Sequence, residues 1–222
     1  MDAPKTLASA VERSARLAML SQLHIQPLVV LVDRIREAKG TEFHIPYFDP
    51  LDGGVDAEIL FLLEAPGPKS VVSGFISRNN PDETAKNFFL LNEAAGIERR
   101  RTILWNAVPW YFGSGTQIRP AKKADVREAD AWLAELISYL HQLRIVVFVG
   151  KKALHAKNVI RSVRQDLKVF EMPHPSPMFI NRYPGNRQQA LSALQLVSRQ
   201  LARGDAYPIT QPDDPPSACP RN

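Results

Sequence analysis

One histidine stands between two prolines in "EMPHPSPMFINR", residues 171–182. Proline fixes its own φ and biases the preceding residue away from the helical region, so His174 and Ser176 are both pressed toward extended geometry. The imidazole is thereby placed at a defined point, from which it can donate a hydrogen bond or exchange a proton with a reacting group. A rigid surface turn is the other reading of the same string. Three more short strings end in residues able to hold a ligand. "LLEAPGP" offers Glu64, Ala65, Pro66 and Gly67; "ILWNAVPW" carries Asn106 inside an apolar run; "VFVGKK" presents Gly150 and Lys151. An amide such as that of Asn106 is costly to bury without a partner, so it is either satisfied within the core or reads a ligand.

These residues need a scaffold that brings four strand ends together. Helical spacing marks residues 7–20 and 27–39, the latter with Leu28, Leu31, Val32 and Ile35 on one face and Gly40 as its stop. "DPLDGG" (49–54) is a turn cluster, followed by an apolar strand from Ile59 to Leu63 that breaks at Pro66-Gly67-Pro68. Strand and helix then alternate: a capped helix over 82–96, a strand over 102–108, a long helix over 124–143, a strand over 144–150, a short helix from Lys151, the strand "LKVFEMP", and the helix "GNRQQALSALQLVSRQLA". Short apolar strands separated by helices predict a three-layer α/β/α domain around a mostly parallel four-stranded sheet. The expected domain is residues 1–203, with helices and a turn over 1–57. The proline-rich segment 204–222 reads as a disordered tail. In such a sheet ligands lie beyond the carboxyl ends of the strands, where all four strings sit.

Composition narrows the chemistry. A chain of 222 residues, 45% of them hydrophobic, supports one sizeable core. No apolar run reaches about 18 residues and the first residues lack the order of a secretory signal, so no membrane span and a cytoplasmic location are expected. The single cysteine, Cys219, cannot build a disulfide, a cysteine zinc site or a four-cysteine iron–sulfur cluster. His24, His44, His141 and His155 have no spacing that suggests a metal. A net charge of +5 suits a polyanionic partner without requiring one.

Taken in order, "LLEAPGP", "ILWNAV", "VFVG" and "PHPSPM" resemble the strand-end motifs of the uracil-DNA glycosylase superfamily, over roughly residues 58–202. The first motif is most similar to the thermostable iron–sulfur branch, which has Gly-Glu-Ala-Pro-Gly. Leu63 stands at that branch's first glycine and the four cysteines are absent, so no cluster, metal or other cofactor is expected. The resemblance implies an enzyme that flips uracil out of DNA and hydrolyses the bond between base and sugar, leaving an abasic site. It implies DNA as the partner, a monomer as the working form, and a place in base-excision repair.

Residue by residue, the resemblance implies that Asn106 pairs with the Watson–Crick edge of uracil and refuses cytosine, whose donor and acceptor are exchanged. Phe75 would be the stacking platform, with Phe88 and Phe89 in the core. His174 would donate to uracil O2 as negative charge develops there. Ser176 would grip a phosphate, and Met178 would fill the gap left by the flipped base. Further phosphate contacts would come from Lys69, Arg78, Arg119, Gly150, Lys151, Lys152, Arg182 and Arg187. Ala65 stands where the most active branches have a water-activating aspartate or asparagine, so Glu64, the only carboxylate of that motif, is assigned the water-orienting role. Gly67 replaces the tyrosine that blocks the C5 position in the most uracil-restricted branch, which implies room for 5-substituted uracils. Two other functions fit the residues: a module that binds a damaged base with little turnover, and a hydrolase acting on nucleotides.

Overall fold

Ile59–Leu63 is apolar at every position, the pattern of a strand covered on both faces. In the computed structural model, which describes residues 2–114, 117–119 and 121–205, this segment is a central strand of a four-stranded parallel sheet. In chain order the strands are β1 (Tyr47–Phe48), β2 (Ile59–Leu63), β3 (Phe75–Ile76), β4 (Thr102–Asn106), β5 (Gly113–Ser114), β6 (Gln117–Ile118), β7 (Ile145–Val149) and β8 (Lys168–Met172). The main sheet has the order β4-β2-β7-β8. Register places Leu63 beside Asn106 and Val149 beside Met172, so the four carboxyl ends meet along one edge. Two pairs of two-residue strands, β1 with β3 and β5 with β6, lie outside it.

The helices are α1 (Ala10–Ala18), α2 (Gln26–Lys39), α3 (Pro68–Ser73), α4 (Glu83–Ala94), α5 (Lys123–Tyr139), α6 (Lys157–Val163), α7 (Pro177–Ile180) and α8 (Pro184–Asp205). One set, α2, α5 and α6, packs together, as does the other, α4, α7 and α8, and helices flank the sheet as expected from the alternation. The helix expected over 7–20 is a 3-10 turn, Thr6–Ala8, followed by α1, because Ser9 caps Glu12 N and starts the helix anew. Two short helices, α3 and α7, were not expected. Each begins with proline at its first helical position, Pro68 and Pro177, a start signal that a stop-minded reading of proline passes over. α8 runs on to Asp205. The rest of the expected tail, with Cys219, lies outside the described residues.

The turn cluster 49–54 is the anchor of a buried ionic network. Asp49 accepts hydrogen bonds from Arg16, from Ser77, from Arg99 Nη2 at 2.7 Å and from the Leu51 amide at 3.0 Å. Arg99 Nε also donates to Asp52 at 2.8 Å, and Arg78 lies 3.9 Å from the same carboxylate. Burial pushes the Asp49 carboxyl up, but Arg99 and Arg16, with the Ser77 and Leu51 donors, outweigh it and hold the group below the usual carboxylate range. Its stabilising effect is therefore present above that range and is lost as acid protonates it. Asp49→Ala leaves the buried Arg16 without a counter-ion, and the expected cost is about 3–5 kcal/mol in urea unfolding at neutral pH. A loss below about 1 kcal/mol would show that the network contributes little.

Candidate active site

Side chains alternate along a strand, and two adjacent strand ends therefore sort their residues onto two faces. On β4, Leu104 and Asn106 share the face that borders a cavity of about 470 Å³, while Trp105 turns to the other face and stacks on Phe48 with ring centroids 3.7 Å apart. On β2 and its extension, Leu63 and Ala65 border the same cavity, with Pro66 and Gly67 following. Asn106 is 2% exposed, and its Nδ2 has no hydrogen-bond partner among the described residues. Asn106 thus borders the cavity with a buried amide nitrogen that lacks a partner, an arrangement that is rare unless a further group satisfies it.

Glu64, one residue out of phase, is absent from the cavity wall and pairs with Lys152 at 3.1 Å. The Lys152 pair engages the carboxylate expected to orient a water, though the same charge still acts on His174. Phe75, expected as the stacking platform, is fully buried and does not border the cavity, whereas its strand neighbour Ile76 does. Phe88, read from the sequence as core, reaches the cavity wall and packs edge-on against Phe61, with ring centroids 4.9 Å apart. The cavity's broad apolar faces are thus Ile76 and Phe88.

His174 and Pro175 also border the cavity, together with the "APGP" turn. The loop is held from both sides. Asn87 Nδ2, on α4, donates to the Pro175 carbonyl at 3.0 Å, and the Gly150 amide donates to the Met172 carbonyl at 2.8 Å. Gly150 has φ +82°, and a Cβ there would stand 3.0 Å from the His174 Cβ, so glycine is what lets the β7 loop pass so close to the imidazole. Surrounding protein lowers the His174 pKa from its ordinary value. The Glu64 and Asp82 carboxylates oppose that shift, and Lys152 reinforces it. The side chain keeps an exposed side, yet enough of the molecule encloses the ring for desolvation to prevail and to favour the neutral imidazole. A neutral imidazole still has one N–H to donate.

Ser176 caps α7, its Oγ accepting from the Phe179 amide at 3.4 Å, and this capped turn carries Met178 outward to 83% exposure. Lys69, at the cavity mouth, is exposed, as are Lys151, Lys152, Arg182 and Arg187. Two expected phosphate contacts are placed otherwise. Arg78 is 3% exposed; it donates to Thr102 Oγ1 at 2.6 Å and borders the cavity from beneath as part of the ionic network. Arg119 forms a two-point pair with Asp125, at 2.7 and 2.9 Å.

Sequence reasoning missed Asp82 and Asn80. Asn80, 2% exposed, borders the cavity while its amide bridges Ser70 Oγ at 3.0 Å, the Phe75 carbonyl at 2.9 Å and the Ser73 hydroxyl at 2.6 Å, which fixes the turn between β3 and α4. Asp82 is visible in the sequence as a helix cap, and Oδ1 does accept from the Ala85 amide at 2.9 Å; nothing in the string shows that it also borders the cavity.

No curated protein matches the chain. Among solved structures, a candidate uracil DNA glycosylase from Methanosarcina acetivorans is 21% identical, covers 66% of this chain and 92% of its own, and superposes with a TM-score of 0.46. The mimivirus uracil-DNA glycosylase is 16% identical, covers 81% of this chain and 78% of its own, with a TM-score of 0.41. The family model for the uracil DNA glycosylase superfamily matches residues 50–195, which include all four strand ends and the cavity they border. The chain belongs to the uracil DNA glycosylase superfamily.

Proposed function

We propose that the protein is a monofunctional DNA glycosylase that takes uracil out of the DNA stack and hydrolyses its bond to the sugar. The observation that carries this reading is the unpartnered Nδ2 of Asn106 at the floor of the cavity, beneath a mouth formed by His174. The amide offers an acceptor and a donor side by side, the complement of uracil N3–H and O4. O2 adjoins the glycosidic nitrogen, so it lies toward the mouth when the far edge is held at the floor, and the neutral His174 can donate to it there. Negative charge develops on the base as the bond breaks, and a fixed donor lowers that barrier. Gly67 borders the cavity, and nothing stands within 4 Å of where its Cβ would be, which supports tolerance of substituents at C5.

Exposed Met178 and the cations Lys69, Lys151 and Arg182 suit a DNA strand at the mouth. A second reading, a base-binding module with little turnover, is favoured by Ala65 and by the pairing of Glu64 with Lys152. Release of free base separates the readings. Uracil-containing oligonucleotide and deoxyuridine monophosphate are each incubated with the protein over a range of salt. The glycosylase reading expects free uracil from the oligonucleotide alone, with affinity falling steeply as salt rises. Binding without release supports the module, and release from the mononucleotide supports the nucleotide hydrolase.

A further inference from the structure

The hydrolysis proposed above needs something to meet the water and the sugar cation. An oxocarbenium-like sugar forms as the base leaves, and a carboxylate beside it both stabilises the cation and receives the water's proton. Ala65 has no such group, and Glu64, which does not border the cavity, is paired with Lys152 at 3.1 Å. Among the described residues bordering the cavity, a single one is a carboxylate, and that is Asp82.

Depth in the cavity fixes what Asp82 can reach. Asn106, 2% exposed and with its Nδ2 unpartnered, lies deep in the cavity wall, the level proposed above for the base edge. His174 is exposed and Asp82 is half-buried, so both belong to the mouth, the level at which the base–sugar bond must lie. The two are close enough for the Asp82 charge to act on the imidazole. Oδ1 of Asp82 is used by the Ala85 amide, which fixes the carboxylate on the rigid start of α4, while Oδ2 takes part in no hydrogen bond among the described residues. A carboxylate held by one oxygen and free at the other is suited to orienting a water.

We infer that Asp82, rather than a residue of the "EAPGP" motif, is the catalytic carboxylate of this protein. The C1′–N1 bond breaks and its electron pair goes to the uracil ring. The sugar cation gains the oxygen of a water held by Asp82 Oδ2. The proton of that water passes to Asp82 and on to solvent, and the uracil anion takes a proton from solvent. The inference rests on the glycosylase reading.

The test exploits the second role of Asp82. Asparagine and serine cap a helix about as well as aspartate, so Asp82→Asn and Asp82→Ser keep the cap while removing the charge. Single-turnover release of uracil is measured for wild type, both variants and Glu64→Gln, alongside DNA affinity and thermal unfolding. The expected result is a loss of about 10²-fold in rate for both Asp82 variants, with unfolding and DNA affinity unchanged, and a far smaller loss for Glu64→Gln. A wild-type rate in a folded Asp82 variant overturns the inference while leaving the glycosylase reading in place. A larger loss for Glu64→Gln than for Asp82→Asn also overturns it. Absence of uracil release by wild type overturns the glycosylase reading and this inference together.

Discussion

His174→Ala is expected to lower single-turnover uracil release by about 10²–10³-fold while leaving the affinity for uracil-containing DNA nearly unchanged. The split follows from when the interaction forms. A hydrogen bond to a neutral carbonyl in the bound state contributes little, whereas the same donor facing a developing anion in a cavity away from water contributes much more. The loop is built to supply that donor without reorganisation: Pro173 and Pro175 stiffen it, Asn87 ties the Pro175 carbonyl to α4, and Gly150 admits the imidazole at close range. Desolvation by the surrounding protein lowers the titration point of the ring, so any change of rate caused by protonating the imidazole should set in below the ordinary imidazole value. Rates measured with enzyme in excess, from pH 6 to 8, examine both points. An unchanged rate for His174→Ala would reduce the "HPSP" turn to a structural device.

Asn106→Asp is expected to have an effect at least as large, roughly 10³-fold or more, because it replaces a donor with an acceptor at a buried contact. A pocket built to hydrogen-bond a polar edge rejects a mismatched edge strongly, since the buried groups are then left unpaired or opposed. The new carboxylate would face uracil O4, acceptor against acceptor. It matches the exocyclic amine of cytosine instead, so weak release of cytosine is the accompanying gain. Position 106 tolerates the change sterically, and Leu63 and Leu104 remain as neighbours on the wall. Base release from paired uracil and cytosine oligonucleotides, with circular dichroism to establish folding, gives the answer. Full uracil activity in a folded Asn106→Asp protein would remove Asn106 from recognition.

The sheet and the location of the site are legible in the chain because each rests on a local signal. Uniformly apolar five-residue runs separated by amphipathic helices fix a buried parallel sheet, and the carboxyl ends of its strands fix where chemistry must lie. Asn106 declares itself by its cost in an apolar run. What is not legible depends on phase or on distance. Two-residue β3 has no periodicity from which to decide whether Phe75 or Ile76 faces the cavity, and the larger ring is the natural choice yet lies on the wrong face. Glu64 sits just past the end of β2, between Leu63 and Ala65 on the cavity wall, yet is itself off that wall and paired with Lys152, which the string does not reveal. The ionic network of Asp49 joins residues 33 and 50 positions apart, a pairing that charge counts cannot reveal. Arg78, which composition alone makes a phosphate contact, is drawn inside by that network.

Removal of uracil from DNA is the activity proposed for this cavity. Single- and double-stranded oligonucleotides carrying uracil, hypoxanthine or a thymine mismatch at one position, each incubated with the wild-type protein and then treated with alkali, test it most directly. The expected result is strand cleavage at uracil after alkali and none before it, since a monofunctional glycosylase leaves an intact strand with an abasic site. Intact uracil strands after alkali, under conditions where the protein is folded and binds the DNA, would contradict the account.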